Sequence, residues 1–440
     1  MSKFRDQHMT IKWWDIIDSE STQPILNASL REKSLLVGRV GLMMLSVGTG
    51  AWRVRASMNK IARGLGITCV ADIGLLSISY TCAANGETFT NSLSLKEPGV
   101  NTDKLDAIEF FCDSFRDRAG KYSEEQMHHI LDKIDSMSGN YNAVILGLAS
   151  GMACAAFTFL LGGGAVEMLC AFLGAGVGNF LRKKLLENHI TLLANVALPV
   201  TAACLVYFFA VHLMEMIFGV PMVHQSGYIC SMLFVIPGFP LITGGIDISK
   251  LDLRSGAERI GYALLIIITA TVTGWLSAYI MRFEPGDFPE IAMSPAMRIV
   301  FRMIASFVGV FGFSLMFNSP KRMALSAGVI GMISNTLRLT LADHLGIPGF
   351  TAAFIGALCS GLLASASKKF VGFPRITLTV PSIVIMVPGM FMYKAIYYLS
   401  LNDLSVGGAW LTKAFLMVLS LPLGLIVARI ITDKNFRRDS

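Results

Sequence analysis

The chain has 440 residues, of which 53% are hydrophobic and only 15% charged, and its mean hydropathy is +0.59. This composition excludes a disordered chain and an ordinary water-soluble enzyme, and it predicts a polytopic membrane protein. The net charge of +7 lies wholly in residues 141–440, because residues 1–140 contain 16 basic and 17 acidic residues. We therefore interpret the charge as a signal of membrane topology and expect no nucleic-acid partner.

The first part of the chain is polar and predicts a region outside the membrane. Residues 1–30 carry charges of both signs and contain no recognisable signal peptide, so they predict a flexible lead-in. From Glu32 to Gly64 the apolar residues recur with helical spacing, interrupted at Gly48-Thr-Gly50. This pattern predicts helical structure with a break at the glycines.

A predicted β-hairpin follows this helical region. Ile67–Cys82 is rich in β-branched and small residues, Asn85-Gly86 is a turn signal, and Glu87–Leu95 resumes the strand pattern. Helical spacing returns in two segments, Asp103–Arg118 and Glu124–Met137. Together these elements predict a cytoplasmic α+β domain over residues 31–140, which is within the usual size of a domain.

The rest of the chain contains ten apolar segments, each of about 20 residues, which is the length that crosses a bilayer. The segments are 142–161, 164–181, 190–211, 226–247, 257–281, 299–317, 322–342, 350–367, 378–400 and 408–430. We expect about ten transmembrane helices. They form a first five-helix membrane repeat over residues 141–283, an external linker over 284–297, and a second five-helix repeat with a cytoplasmic tail over 298–440.

The basic residues around these segments predict the orientation. With the N-terminal domain in the cytoplasm, fifteen Lys and Arg residues after residue 140 fall on the cytoplasmic side and four on the other. Because basic residues are enriched in cytoplasmic loops, we expect both termini to be cytoplasmic.

Two of the apolar segments are interrupted in the middle by Pro-Gly. Ser231, Pro237 and Asp252 recur as Ser382, Pro388 and Asp403, each 151 residues later. Proline removes a backbone donor and glycine weakens the helix, so each segment is predicted to be a broken membrane helix. Since each five-helix repeat has an odd number of spans, the second repeat is inverted. The predicted fold class is therefore an α-helical membrane protein with a 5+5 inverted repeat.

The broken helices supply a candidate substrate site. A break frees carbonyl groups on one side and N–H groups on the other, which attract a cation and a carboxylate respectively. The residues of the two breaks are therefore predicted to bind substrate: Pro237, Gly238, Phe239, Pro240, Pro388, Gly389 and Met390. A simple proline kink is the structural alternative.

Three further residues in the apolar segments are candidates for the same site. Asn179-Phe-Leu-Arg182 is echoed by Asn335-Thr-Leu-Arg338, which would pair spans two and seven of the repeat. Asn179, Asn335 and Arg338 are thus included as substrate-binding candidates. Arg338 could clamp a carboxylate, or its side chain could extend to the membrane surface. Lys394 presents the same two alternatives.

Three acidic residues follow the first break and are candidates for proton coupling. Asp247 lies at the predicted inner end of span four, and Asp252 and Glu258 lie just beyond it. A carboxylate near a transport path can bind a substrate ammonium or carry a proton. The alternative is a solvated loop in which these acids pair with Lys250 or Arg254.

Motifs for enzymatic chemistry are absent from the sequence. The eight cysteines are scattered singly, the seven histidines have no metal-ligand spacing, and neither a GxSxG nor a Walker motif occurs. We therefore expect no catalytic residues, no metal, no cofactor and no enzymatic activity.

At Pro237-Gly-Phe-Pro-Leu-Ile-Thr-Gly-Gly-Ile-Asp247 the sequence resembles the bacterial threonine/serine exporter family. Three other stretches share this resemblance: Gly50–Gly66, Pro98–Leu105, and Asn318–Arg338 leading to Val387-Pro-Gly-Met390. The resemblance covers nearly the whole chain, including the two modules that some members encode as separate chains. The second break reads Pro-Gly-Met-Phe and lacks the second proline of the first.

The resemblance implies export of threonine and serine from the cytoplasm across the bacterial inner membrane, driven by the proton motive force. It places Asp247, Arg338 and six residues of the breaks in the family's functional positions: Pro237, Gly238, Phe239, Pro240, Pro388 and Gly389. Split-chain relatives are associated with export of dicarboxylates such as succinate, which is the first alternative. A passive channel or a membrane scaffold is an alternative of another class. The expected partners are the substrate, protons and the lipid bilayer, and homo-oligomerisation is left open.

Overall fold

The computed structural model describes residues 11–17, 23–219, 222–283, 285–289 and 291–437. Parts of the predicted lead-in (1–10 and 18–22), of the linker (284 and 290) and of the tail (438–440) lie outside the described residues. The chain divides into two compact units. The first consists of Met1–Ser138 with Thr243–Ile260, and the second consists of Gly139–Ile242 with Gly261–Ser440.

The first unit contains five helices in its N-terminal part. They are α1 (Leu30–Ser46), α2 (Ala51–Gly64), α3 (Thr102–Asp113), α4 (Phe115–Ala119) and α5 (Glu124–Asp135), preceded by two 3₁₀ turns, Trp13–Asp15 and Ile25–Asn27. Helix α1 begins with a capping box, in which Ser29 Oγ accepts from Glu32 N and Glu32 Oε2 accepts from Ser29 N. The predicted interruption at Gly48-Thr-Gly50 is confirmed, because α1 ends at Ser46 and Gly48 has a φ of +90°.

A three-stranded antiparallel sheet lies between α2 and α3 in the sequence, in the order β1 (Thr68–Ile73), β2 (Ser77–Ala84), β3 (Glu87–Ser94). The predicted hairpin turn at Asn85-Gly86 is confirmed, and both residues have the positive φ of a type I′ turn. The prediction that Ile67–Cys82 forms one strand is wrong. A turn after Gly74 divides it into β1 and β2, and this turn was missed because both strands have the same β-branched and small composition.

The membrane-type helices form most of the chain after residue 142. In chain order they are α6 (Ala143–Leu160), α7 (Ala165–Glu187), α8 (Leu192–Phe218), α9 (Tyr228–Ser231), α10 (Gly238–Ser249), α11 (Leu253–Met281), α12 (Pro295–Met316), α13 (Lys321–Leu345), α14 (Gly349–Val371), α15 (Arg375–Val384), α16 (Gly389–Ser400) and α17 (Leu404–Thr432), followed by the short α18 (Lys434–Arg437). The 3₁₀ turns Met222–Gly227 and Leu233–Val235 flank α9.

Eight of these helices are long and apolar enough to cross a bilayer by themselves. Two further segments pass the same test as bent pairs. His224–Val235 and Gly238–Ser249 meet at 58°, and Arg375–Val384 and Gly389–Ser400 meet at 46°. Among the described residues the chain therefore has eight to ten candidate spans, and the two predicted broken helices are bent at the Pro-Gly positions. The protein is a mostly helical, multi-pass membrane protein.

Small residues bring the helices of the second unit close together. A Cβ added to Gly147 of α6 would lie 2.8 Å from the carbonyl oxygen of Gly176, and one added to Gly151 would lie 2.6 Å from that of Phe172. Both distances are shorter than a Cβ tolerates, so α6 can pack at this distance from α7 only with glycine at these positions. In the same unit α12 packs against both α6 and α13.

Candidate functional site

The two Pro-Gly breaks lie against each other in the second unit. A Cβ added to Gly238 would lie 2.8 Å from Cγ2 of Val384, the last residue of α15. A Cβ added to Gly389 would collide with Cδ1 of Ile236 and lie 3.0 Å from Cδ2 of Leu233. Each break thus needs its glycine because the other broken helix passes directly beside it.

The backbone turns in the same way at both breaks. Gly238 N donates to Ile236 O and Gly389 N donates to Val387 O, each at 2.9 Å. The helix then restarts with the carbonyl of the proline as its first acceptor, at 3.2 Å from Leu241 N after Pro237 and 3.0 Å from Met392 N after Pro388. Because proline has no N–H to donate, the helix is interrupted in the same way at Pro237 and at Pro388.

The other predicted residues of the breaks are placed as follows. Phe239 is buried and packs edge-on against Phe317, with ring centroids 5.5 Å apart. Met390 is buried, and Pro240 is partly exposed. The structure therefore brings both predicted breaks to one place, with apolar side chains around them.

A small cavity adjoins the crossing of the breaks. Its volume is about 20 Å³, and its lining includes Ile236, Pro237 and Gly389 together with residues of α11. A cavity of this volume holds roughly one water molecule, since one water needs about 10–15 Å³ by this kind of measure. An amino acid or a dicarboxylate does not fit between the breaks in this conformation.

A larger cavity of about 470 Å³ lies between α6, α7, α12 and the segment before α12. Its lining residues are all apolar and include Met152, Phe159, Met168, Phe172 and Phe301. Charged and polar groups lose their hydration in such a site without receiving hydrogen bonds in return. This cavity therefore does not suit a zwitterion or a dicarboxylate.

Two arginines occupy matching positions next to the breaks. Arg182 and Arg338 each lie 17 residues after the first residue of their helix (182 − 165 and 338 − 321). Arg182 Nη1 is 3.4 Å from Phe234 O, and Arg338 Nη1 is 3.4 Å from Met386 O. Each carbonyl belongs to the last turn before a break, where helix carbonyls lose their usual partners. Each guanidinium thus lies at the negative end of a half-helix.

Arg338 was predicted from the sequence, and it does not pair with the nearest acidic residue of its own helix. Asp343, just over one turn later, forms an ion pair with Arg302 of α12. Arg182 was counted only as a loop cation at the end of span two. The signal that could have identified it is the Asn-x-Leu-Arg echo itself, which aligns Arg182 with Arg338.

Two buried hydroxyl groups lie on the two helices that meet at Arg338, one on α13 and one on α14. A Cβ added to Gly356 of α14 would lie 3.1 Å from Arg338 Cβ and 3.2 Å from Met386 Sδ, so α14 passes beside this arginine. Ser360 follows Gly356 by one helical turn, and Ser334 precedes Arg338 by one turn. Both serine Oγ atoms are buried without a hydrogen-bond partner among the described residues. These hydroxyls could bind a polar ligand near the second break.

Asn179 and Asn335, the other two predicted residues, connect neighbouring helices. Asn179 Nδ2 donates to Leu146 O of α6, and Asn335 Nδ2 donates to Ser306 Oγ of α12, each at 2.9 Å. The first of these hydrogen bonds joins α7 to α6, and the second joins α13 to α12. The Oδ1 atom of Asn335 is buried and has no hydrogen-bond partner in the described part of the chain.

A pair of tyrosines joins the two broken helices. Tyr228 Oη and Tyr393 Oη are 2.6 Å apart, their rings are in a T-shaped arrangement, and both side chains are buried. The neighbouring Lys394 is also buried, with Nζ 3.0 Å from Oδ1 of Asp287 and 5.0 Å from the Trp410 ring centroid. Neither tyrosine was among the site residues predicted from the sequence.

Asp247 lies in the first unit, in a buried network at the start of α2. Its Oδ2 accepts hydrogen bonds from Ala51 N at 3.0 Å and Ser255 Oγ at 2.9 Å, and it lies 3.2 Å from Arg259 Nε. Its Oδ1 is buried and has no hydrogen-bond partner among the described residues. A Cβ at Gly50 would collide with that oxygen. The carboxylate thus binds the positive N-terminus of a helix and a buried guanidinium.

The other two candidate acids also bind the N-terminal part of the first unit. Asp252 forms a bidentate ion pair with Arg55 of α2, at 2.6 and 3.1 Å. Glu258 Oε2 accepts from Leu75 N, in the turn between β1 and β2, at 2.6 Å. The alternative of a solvated loop acid paired with Lys250 or Arg254 is confirmed for Glu258, which is 39% exposed and forms an ion pair with Arg254. It is wrong for Asp247 and Asp252, which pair with Arg259 and Arg55. The residues around α2 that bind these acids were not predicted.

Within the described residues, no three His, Cys, Asp or Glu side chains are placed to hold a metal ion together.

Two family models match the chain. One described as "Putative threonine/serine exporter" matches residues 35–281, and one described as "Threonine/Serine exporter, ThrE" matches residues 302–431. A "Probable threonine/serine exporter" of Mycobacterium tuberculosis is 22% identical and covers 95% of this chain and 78% of its own length. A "Probable succinate transporter subunit YjjP" of Escherichia coli is 23% identical and covers 53% of this chain and 88% of its own. No solved structure matches the chain.

Proposed function

This chain belongs to the threonine/serine exporter family, as its motifs predict, and we propose that it exports threonine and serine by proton-coupled alternating access. Members of the family are membrane transporters and not enzymes. The observation that carries the proposal is the contact between the two Pro-Gly breaks. Paired broken helices of this kind form the substrate sites of transporters built from repeats.

The proposed architecture is a 5+5 inverted repeat, with α6–α11 as the first half and α12–α17 as the second. Its support is the correspondence between the halves: the breaks, the arginines and the asparagines recur in the same order. An inverted repeat also brings the leading half of one broken helix beside the trailing half of the other. The contacts Tyr228–Tyr393 and Leu233–Gly389 on one side, and Gly238–Val384 on the other, follow this rule.

The proposed orientation has both termini in the cytoplasm of a bacterial cell and the protein in the inner membrane. Its support is the excess of basic residues on one side of the predicted spans. In this orientation the contact between Tyr228 and Tyr393 lies toward the exterior. The predicted domain of residues 31–140 and the linker of residues 284–297 are then cytoplasmic and external, respectively.

The proposed substrate site lies between the breaks, at Pro237, Gly238, Pro388 and Gly389. The flanking residues Phe239, Pro240 and Met390 shape its walls, and Asn179 and Asn335 hold the helices around it. Arg182 and Arg338 stand on either side and can turn from the backbone carbonyls to a substrate carboxylate. The hydroxyls of Ser334 and Ser360, which have no hydrogen-bond partner in the part of the chain that the structure describes, suit a substrate that carries a hydroxyl group and an ammonium group.

The size of the site supports alternating access. A cavity of about 20 Å³ at the breaks is too small for serine, so the substrate enters only after the broken helices separate. We propose that the hydrogen bond between Tyr228 and Tyr393 closes the external side. Opening toward the cytoplasm then moves the α10 half and the α15 half apart.

We propose that Asp247 couples this movement to protons, with Asp252 and Glu258 in supporting roles. Protonation of Asp247 removes its ion pair with Arg259 and weakens its attraction to the N-terminus of α2. Because Asp247 lies on α10, which begins at the first break, the change acts on one broken helix directly. The groups that face Asp247 are Arg259, Ser255 and the backbone at Ala51.

A dicarboxylate is the second candidate substrate. The observation that favours it is the matched pair Arg182 and Arg338, since two guanidinium groups suit two carboxylates. A relative named as a subunit of a succinate transporter aligns with the first part of this chain. In this alternative the arginines determine the specificity and the hydroxyls of Ser334 and Ser360 contribute less.

Flux through the purified protein in liposomes tests these proposals. With an imposed pH gradient, serine and threonine are expected to move against their own gradients, and succinate is not. Succinate movement in place of serine movement would establish the dicarboxylate alternative. Flux that only follows the substrate gradient would indicate a passive channel, and the absence of all flux would leave a scaffold and contradict the transport proposal.

A further inference from the structure

Two cysteines of the first unit face each other across the strands β1 and β2. Cys69 is the register partner of Cys82 in the antiparallel pairing. Both are free thiols, and both are buried on the face of the sheet that also carries Tyr80. The hydroxyl of Tyr80 donates to Ser34 O of α1, so this face is covered by α1. The pair has no part in the proposed transport mechanism.

The hydrogen bonds of the ladder determine which kind of pair the cysteines form. Gly74 N donates to Ser77 O at 2.8 Å, so these two residues are a hydrogen-bonded pair. The register continues without a bulge to Cys69 and Cys82, five positions further along. Since hydrogen-bonded and non-hydrogen-bonded pairs alternate, the cysteines occupy a non-hydrogen-bonded pair. Their Cα atoms are then roughly 4.5 Å apart, within the range of about 4.4–6.8 Å that a disulfide spans.

We propose that Cys69 and Cys82 form a dithiol that hydrogen peroxide oxidises reversibly to a disulfide. Hydrogen bonds, first of all from Cys69, lower the pKa of the Cys82 thiol and so favour its thiolate form, although burial acts in the opposite direction. The hydrogen bond to Cys82 and burial raise the pKa of Cys69, which keeps its proton. Cys82 is therefore the nucleophile and Cys69 the resolving thiol.

The reaction proceeds in two balanced steps. The Cys82 thiolate attacks one oxygen of hydrogen peroxide, forms a sulfenic acid and releases hydroxide, which takes up a proton to become water. Cys69 Sγ then attacks the Cys82 sulfur, the S–S bond forms, and the sulfenic hydroxyl leaves as water with the proton of Cys69. Two thiols lose two electrons in total, and the peroxide is reduced to two water molecules.

The position of the pair in the sheet gives peroxide access and gives the disulfide a structural effect. Strand β1 is an edge strand, so local opening can expose Cys69 and Cys82 to a small oxidant. The turn between β1 and β2 contains Leu75, whose N–H donates to Glu258. A disulfide would restrict the hairpin that presents this contact, because it closes a short loop of the chain.

Peptide mass spectrometry of the full-length protein tests the proposal. The protein is treated with hydrogen peroxide, the remaining thiols are blocked by alkylation, and the digest is compared with and without dithiothreitol. The expected result is a Cys69–Cys82 linked peptide that dithiothreitol removes. Cys112 of α3 is the matched control, because burial raises its pKa to about 12 and it should stay a thiol.

The variant Cys69→Ser separates the two steps. Without the resolving thiol, Cys82 is expected to accumulate as a sulfenic acid that dimedone labels, whereas the wild type should show little labelling. The proposal is overturned if Cys69 and Cys82 remain thiols at peroxide concentrations that oxidise a model thiol. It is equally overturned if Cys82 reaches the sulfinic acid in the wild type without the linked peptide.

Discussion

The hydroxyl oxygens of Tyr228 and Tyr393 lie 2.6 Å apart. This buried hydrogen bond joins the first broken helix, on the segment before its break, to the second broken helix, on the segment after its break. If the bond closes one side of the site, Tyr228→Phe and Tyr393→Phe remove the same interaction. A buried hydrogen bond contributes about 1 kcal/mol, so each variant should change the serine exchange rate about fivefold. The double variant should change the rate no further than either single variant.

A double-mutant cycle of exchange rates in liposomes measures this coupling. Tyr279→Phe serves as the control, because Tyr279 is 74% exposed and lies at the end of α11. Strictly additive effects of Tyr228→Phe and Tyr393→Phe would show that the two hydroxyls act independently.

Arg182 and Arg338 should both be required for transport. Replacement by glutamine in Arg182→Gln or Arg338→Gln removes a charged donor, which is worth about 1.5–3 kcal/mol, so substrate flux should fall roughly ten- to a hundredfold. Lys183→Gln is the matched control, since Lys183 neighbours Arg182 but is about one-third exposed and lies near Glu187. Equal flux in the arginine variants and in this control would exclude the arginines from the site.

Gly389→Ala should abolish transport because a Cβ at this position collides with Ile236 of the other broken helix. The side chains of Ile236 and Leu233 would have to shift, or the two helices would have to move apart at their breaks, and overpacking of this kind typically destabilises a protein by about 1–3 kcal/mol. Gly408→Ala is the matched control, because no neighbouring atom of the described residues, apart from its own helix backbone and chain neighbours, lies within 4 Å of its added Cβ. Flux and melting temperature are measured for both variants, and a fully active Gly389→Ala protein would contradict the contact.

Asp247→Asn should separate proton coupling from substrate movement. Asparagine can still accept the hydrogen bonds from Ala51 and Ser255, but it cannot form the ion pair with Arg259. Export driven by a pH gradient should be lost while exchange of serine for serine continues. Asp113→Asn is a suitable control, because Asp113 is 70% exposed and pairs only at the surface with Lys60. If gradient-driven flux persists in Asp247→Asn, this carboxylate does not carry the coupling proton.

The stability of the first unit should fall in acid because of His128. Burial, together with the positive charge of Arg39, lowers the pKa of this histidine to about 3, although Asp132 acts in the opposite direction. Between pH 6.5 and pH 3 the unfolded chain therefore binds a proton that the folded chain does not. Stability should decrease as the pH falls through this window, by up to about 1.4 kcal/mol per pH unit.

Hydrogen exchange of α5 in the full-length protein, corrected for the intrinsic pH dependence, measures this effect. His128→Gln should reduce the slope between pH 6 and pH 4.5. The neighbouring His129 is 59% exposed, and His129→Gln should leave the slope unchanged. Identical slopes in the two variants would assign the acid sensitivity to other groups.

The sequence was sufficient to locate the broken helices because proline and glycine act locally. Pro237-Gly238 and Pro388-Gly389 interrupt the hydrogen-bond ladder whatever surrounds them, and the offset of 151 residues pairs them. The same reasoning located the turn at Asn85-Gly86, where two positive φ angles are required. The turn after Gly74 escaped prediction because a single glycine between two strands of similar composition is a weak signal.

Side-chain partners could not be inferred from local pattern. Asp247 was recognised as a candidate acid, but its contact with the start of α2 joins residues almost 200 positions apart. The need for Gly50 at that contact is also a tertiary effect, because only the buried carboxylate excludes a Cβ there. Arg182 was assigned to the loop that follows its helix, since the length of α7 beyond residue 181 is not encoded by hydropathy alone.

The most direct test of the central claim is a reversible crosslink between the two broken helices. The double variant Tyr228→Cys/Tyr393→Cys, in a background with Cys204→Ala and Cys230→Ala, is treated in membranes with a reducible bifunctional thiol reagent, with each single variant as a control, and serine flux is then measured. We predict that the crosslink forms only in the double variant, that it stops flux, and that reduction restores flux. Failure to crosslink, or undiminished flux in the crosslinked protein, would contradict the proposal that substrate passes where these helices meet and separate.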